Sequence, residues 1–184
     1  MTRLSDRPNS ALLVVDVQND VMANAVRRDE VVANISALVE RARASEVAVV
    51  WVQHADDDLV PDTEGWAIVD ELVPDESELL IHKEYGDSFE ATTLEAELEE
   101  RGIGRLVVTG AQTDFCIRST IHSAFTRGYD TVLVGDAHST DDLSEHGFPP
   151  ADKVIAHTNL YWKGQAGPGR EATVVTTESV DLTS

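Results

Sequence analysis

Three side chains of this 184-residue sequence have the types needed for nucleophilic chemistry. The only cysteine, Cys116, falls in the stretch 105–128, RLVVTGAQTDFCIRSTIHSAFTRG. That stretch reads as a strand, a sharp turn at Gly110, and a helix that Thr113 or Asp114 caps and Gly128 ends. A cysteine in the first turn of such a helix meets unpaired backbone N–H groups and the positive end of the helix dipole, which favour a thiolate. Asp16 closes the apolar run ALLVV, and Lys83, one of only three lysines, follows the shorter run 78–82. An acid beside a thiol can take its proton and later deliver it to a leaving amine. A lysine can hold that carboxylate in place and favour the charged forms of both. Backbone N–H groups of Gln112 and Cys116, around the turn, suit an oxyanion hole. On spacing alone, the same residues also suit a structural salt bridge next to a buried thiol.

The elements that must bring these residues together alternate regularly. Strands are expected at 11–15, 47–52, 78–82, 106–109, 131–134 and 172–176. Helices are expected at 30–43, from Thr92 or Thr93 to Arg101, after Cys116, and briefly from Ala151. Alternating strands and helices imply an α/β fold, a three-layer α/β/α sandwich with a mostly parallel, doubly wound sheet of about six strands. In such sheets ligands collect at the carboxyl ends of the strands, where Asp16, Lys83 and Cys116 all fall. The loop DDDLVPDTEG, 56–65, is expected to form a rim or lid over that edge. A single domain over 1–184 is expected, with 1–9 and 178–184 as flexible tails.

The charge balance narrows the partners. With 34 acidic against 14 basic residues the net charge is −20, which disfavours nucleic acid and anionic membrane surfaces. It reads as a solvated surface suited to solubility or high salt. The chain shows no secretory h-region and no apolar run long enough to span a bilayer. One cysteine rules out an internal disulfide framework and fits a reducing cytoplasm.

The chain resembles the isochorismatase-like cysteine hydrolases, which include nicotinamidases, N-carbamoylsarcosine amidohydrolase and related amidases. The matching pieces are LLVVDVQND (12–20), WAIVDEL (66–72), IHKEYGDSF (81–89), LVVTGAQTDFCIRST (106–120) and GYDTVLVGDAHST (128–140), in the family's order. The resemblance implies an Asp–Lys–Cys triad at Asp16, Lys83 and Cys116. It also implies a cis peptide at Ala111–Gln112 that aims the Gln112 N–H, with that of Cys116, at a developing oxyanion. The implied activity is hydrolysis of a C–N bond in a small molecule through a thioester, by a homodimer or homotetramer without a cofactor. The alternative is a catalytically idle member that binds a ligand or partner. A thiol redox sensor is disfavoured by the lack of a resolving cysteine. Family nicotinamidases carry an Asp-x-His metal cluster after the second strand, whereas here the sequence is Gln53-His54-Ala55-Asp56, which reads as a rim polar pair rather than a metal site. The presence of Cys116 separates the chain from the Cys-lacking vinyl-ether hydrolases of the family.

Gln18, Trp66, Tyr85 and Phe89 are the candidate substrate contacts; Gln18 equally suits stabilising its loop and Trp66 equally suits packing, while Tyr85 and Phe89 are expected to pack around Lys83, Phe89 the more buried. His82 is expected to face away from Lys83 on its strand. His122 is read as a packing residue, and His138, His146 and His157 as loop residues, with His146 and Phe148 read as surface residues in preference to a cover over the site. Asp114 is expected to cap the helix, and Asp136 to order the turn after the fifth strand.

Overall fold

The computed structural model describes residues 4–183. Seven elements precede the turn that holds Cys116. They are β1 (Asn9–Val15), the short α1 (Asn19–Met22), α2 (Arg28–Ala44), β2 (Ala48–His54), β3 (Leu79–Lys83), α3 (Leu94–Glu100) and β4 (Ile103–Ala111). A π-helical turn over Thr113–Ile117 then runs into α4 (Arg118–Arg127), followed by β5 (Asp130–Ser139) and α5 (Ala151–Lys163). A two-residue hairpin, β6 (Ala166–Gly167) with β7 (Arg170–Glu171), leads to β8 (Thr173–Val175). The main sheet is parallel throughout, in the order β3-β2-β1-β4-β5-β8. This is the expected three-layer α/β sandwich.

Its core follows from the strand period of two. In β1, Leu12 and Val14 pack under α2 with Ile35, Leu38 and Val39, while Leu13 and Val15 face Leu94, Ile117, Ile121 and Trp162 on the other side. Both faces are covered, so β1 is apolar from Ala11 to Val15, and Asp16 follows where the strand leaves the sheet. No helix among the described residues is long and apolar enough to cross a membrane.

Several boundaries differ from those read off the sequence. β5 was expected to stop at Val134 because Gly135-Asp136 reads as a turn. Instead the strand bulges there and resumes, its pairing with β4 jumping from Val108↔Leu133 to Gly110↔His138. This carries His138 into the sheet, fully buried, rather than onto a loop. Asp136 therefore lies within the strand, where its carboxylate accepts hydrogen bonds from the Thr177 N–H and hydroxyl and ties down the C-terminal segment. The segments expected as loose tails are also anchored. Arg7 donates to Glu95 and to the Tyr129 hydroxyl, Val180 and Leu182 are buried, and Arg41 donates to the Thr177 and Val180 carbonyls. Residues 1–3 and 184 of those tails lie outside the described residues.

At Gly110 the backbone of β4 runs close against Val15 of β1, its register partner. The Gly110 φ is +119°, and a Cβ placed on that residue would lie 2.0 Å from the Val15 carbonyl oxygen. Strain and collision both fall on backbone, which has no cheap way to yield. Gly110→Ala is expected to cost on the order of 3 kcal/mol. Urea denaturation checks this, and a change within about 0.5 kcal/mol would show that the close approach is not structural.

Candidate active site

Lys83, the last residue of β3, and Asp16, just beyond β1, meet across the end of β2. The Lys83 Nζ lies 2.7 Å from Asp16 Oδ2, with their side chains 0% and 1% exposed. Asp16 has a φ of +51°, uncommon for a residue with a side chain, at the point where the chain leaves the strand. Lys83 donates to Oδ2, and the carboxylate retains acceptor capacity beyond this ion pair.

The same ammonium reaches Cys116. Nζ lies 3.3 Å from Sγ, 3.1 Å from the Tyr85 carbonyl oxygen and 3.3 Å from His54 Nδ1. Cys116 sits in the π turn after β4, whose Ile117 N–H reaches back to the Gln112 carbonyl. Single π turns occur often at functional sites. The peptide before the turn, Ala111–Gln112, is cis. Burial pushes the Cys116 thiol up, to about 12, with the charge of Asp16 adding to the rise and Lys83 opposing it. The expectation that the helix N-terminus favours a resting thiolate is thus overturned, because desolvation beside a carboxylate outweighs the helix end. Burial also raises the Asp16 pKa, against the pull of Lys83.

The helix caps proposed from sequence differ as well. The Thr113 hydroxyl is hydrogen-bonded to His138 Nδ1 at 2.8 Å, and Asp114 accepts from the Thr140 hydroxyl at 2.7 Å. Neither caps the turn through its side chain. Both bind it laterally to β5 and the residue that follows it. Asn159 donates through its NH₂ to the Gly135 carbonyl, so its oxygen accepts from His138 Nε2–H, and His138 Nδ1 in turn accepts the Thr113 hydroxyl. Burial holds the His138 pKa down, which keeps this tautomer neutral.

A cavity of about 490 Å³ opens over Lys83, walled by Trp66, His82, Glu84 and Tyr85 and by Pro61 and Asp62 of the 56–65 loop. Among the described residues no three His, Cys, Asp or Glu side chains gather as a metal site.

Residues 10–149 match the family model of the isochorismatase domain. The chain belongs to the isochorismatase domain family. Among relatives, the isochorismatase family protein YddQ of Bacillus subtilis strain 168 is 33% identical over 92% of this chain and 97% of its own length. The ureidoacrylate amidohydrolase RutB of Enterobacter sp. strain 638 is 29% identical over 74% of this chain and 81% of its own. The crystal structure of an isochorismatase from Pseudomonas putida KT2440 superposes with a TM-score of 0.86 at 27% identity, covering 96% of this chain and 92% of that one.

Within this isochorismatase fold the predicted contacts separate. Asp16, Lys83 and Cys116 converge, and Trp66 and Tyr85 line the cavity. Phe89 does not line it. Its ring is buried against Tyr129, with the Arg127 guanidinium over its face. Gln18 is fully buried and acts as a clamp. Its amide donates to the His54 and Trp66 carbonyls, and its oxygen accepts the His54 N–H. Asn19 and Asp20 add backbone bonds to Ala67 and Gly65, so the 56–65 loop is a docked rim rather than a free lid. The Gln112 side chain points elsewhere, to the Val21 carbonyl.

Two residues were missed by the sequence reading. His82 does face away from Lys83, but β3 is the edge strand, and Trp66 stacks on His82 at 5.5 Å to make that outer face a cavity wall. His54, read as part of a rim pair, is the register partner of Lys83 in the parallel β2–β3 pair and therefore touches it. The available signal was that both residues end neighbouring strands. His122 packs against Tyr161 and Trp162 as expected.

Gln18→Ala removes the three hydrogen bonds of the clamp. It is expected to destabilise the protein by about 2–4 kcal/mol and to speed hydrogen exchange at 64–68 more than in β4. Equal exchange at both segments would show that the loop is held by something other than Gln18.

Proposed function

We propose that the protein is a cysteine-dependent amidohydrolase acting on a small molecule. The observation that carries this reading is Lys83 Nζ standing 2.7 Å from the Asp16 carboxylate and 3.3 Å from the Cys116 sulfur, beside a cavity of about 490 Å³. RutB, an amidohydrolase by name, supports the choice of a C–N bond.

In this mechanism Asp16 takes the thiol proton as Cys116 Sγ bonds to the amide carbonyl carbon. The backbone N–H groups of Gln112 and Cys116 are the donors assigned to the oxyanion. When the tetrahedral intermediate collapses, the C–N bond breaks and Asp16 delivers the proton to the departing nitrogen, leaving a thioester. Water then attacks the thioester with Asp16 again as base, and its proton returns to the sulfur as the acid is released. Lys83 keeps the carboxylate placed and stabilises whichever of Asp16 and Cys116 carries the negative charge. A reducing, cytoplasmic setting suits a lone nucleophilic thiol.

Intact-mass spectrometry of the protein incubated with a panel of small amides tests the reading. An acyl adduct on Cys116 is expected, with hydrolysis lost in Cys116→Ala and lowered by about 10³-fold or more in Asp16→Asn. Normal turnover by either variant would overturn the mechanism. The base must be charged to act, so kcat/KM should fall as pH drops through the Asp16 pKa. Burial places that acid limb above the ordinary carboxylate range, and a limb at or below that range would contradict the role given to Asp16. The cavity wall carries Asp62 and Glu84, and its lysine is already paired with Asp16. Among amides of equal size, cationic and neutral ones should therefore show higher kcat/KM than anionic ones. A preference for the anionic amide would contradict this.

A further inference from the structure

The Lys83 ammonium has three hydrogens but four acceptors within reach. These are Asp16 Oδ2 at 2.7 Å, the Tyr85 carbonyl at 3.1 Å, and both His54 Nδ1 and Cys116 Sγ at 3.3 Å. The first two are the shortest and the better acceptors. The third hydrogen is left to His54 Nδ1 and Cys116 Sγ, at equal distances. A neutral thiol is a weak acceptor, and a thiolate is a strong one.

The tautomer of His54 follows from its partners. An ammonium only donates, so Nδ1 must accept and Nε2 must carry the proton. Nε2 then donates to Asp56 Oδ2 at 3.1 Å. Asp56 is itself fixed, because its other oxygen accepts the Leu59 and Asp58 N–H groups. Those bonds, with His54, hold its carboxyl below the usual range and therefore charged. The Gln18 clamp fixes the His54 backbone on both sides through its N–H and carbonyl.

We propose that His54, locked by Asp56, is a positioning residue that takes the third Lys83 N–H while Cys116 is a thiol and yields it when the sulfur becomes an anion. His54 thereby keeps the buried ammonium satisfied at rest and restrains the resting nucleophile. The cation is then free to turn to the sulfur when the thiol proton leaves. This rests on the reading of Cys116 as the nucleophile, but its test needs no substrate.

The test is the rate of Cys116 alkylation by iodoacetamide at fixed neutral pH, with near-ultraviolet circular dichroism reporting the fold. His54→Leu removes the competing acceptor, so the third N–H passes to the sulfur, and alkylation should rise by about tenfold, the worth of one hydrogen bond to a charged group. His54→Asn keeps an acceptor near the Nδ1 position and should alkylate at the wild-type rate. Asp56→Asn provides a variant of nearly unchanged shape. Its oxygen can still serve Leu59 and Asp58, while its NH₂ now donates to Nε2 and forces the proton onto Nδ1, where it can no longer accept. Asp56→Asn should therefore alkylate faster, as His54→Leu does. A folded His54→Leu or Asp56→Asn with an unchanged or slower rate would overturn the proposal, as would a His54→Asn rate that matches His54→Leu. If all three behave as expected while no amide acylates Cys116, the positioning role stands and the amidohydrolase reading fails.

Discussion

An ammonium with no exposed surface must be neutralised, and in this protein Asp16 does so at 2.7 Å. Desolvating each ion costs several kcal/mol, so removing either partner would leave an uncompensated buried charge. Much of the site's architecture serves to bring those two groups together. Lys83 ends β3 and Asp16 follows β1, with β2 between them in the sheet. The two side chains must arch over the end of β2, and the residue there is His54, in register with Lys83. Asp16 reaches the pair only by taking a left-handed backbone conformation at the strand's exit. A buried ion pair is weak evidence for stability and a stronger hint of function, since an apolar pair would hold the same strands at lower cost.

The pair also governs the sulfur. A helix end alone would favour a thiolate, whereas burial next to a carboxylate raises the thiol to about 12. The resting proton therefore sits on sulfur, with a base of raised pKa in the same pocket. In the proposed mechanism that arrangement couples loss of the proton to the moment a carbonyl arrives, instead of keeping a reactive thiolate permanently exposed to oxidation. The surrounding polar bonds act on position. Thr113 and Asp114 tie the π turn to β5 and Thr140, and Gln18 ties the rim loop to the end of β2.

Much of the fold was legible in the sequence, because apolar runs ending in Asp16 and Lys83, and the run before Cys116, behave as buried parallel strands do. Asp16, Lys83 and Cys116 shared one visible property, position at or just after strand ends, and the sheet brings strand ends together. What was not legible depended on pairing. The bulge in β5 looks like a turn at Gly135-Asp136, since only β4 alongside shows that the ladder resumes, and so His138 was assigned to a loop. His82 was given the right face, but nothing local shows that a loop will fold across the sheet edge and place Trp66 on it. Thr113 and Asp114 have the chemistry of caps, and their partners on the neighbouring strand decided otherwise. Phe89 sits near Lys83 in sequence, yet its ring fits the apolar space by Tyr129.

The central claim is that burial, reinforced by the charge of Asp16 that Lys83 holds in place, keeps the proton on Cys116 at rest. The most direct measurement is an ultraviolet thiolate titration of Cys116 in the wild-type protein and in Asp16→Asn. The account predicts that the thiol titrates at lower pH in the variant, because a negative charge next to the sulfur is gone while Lys83 remains. A midpoint that is unchanged or higher in Asp16→Asn would contradict it.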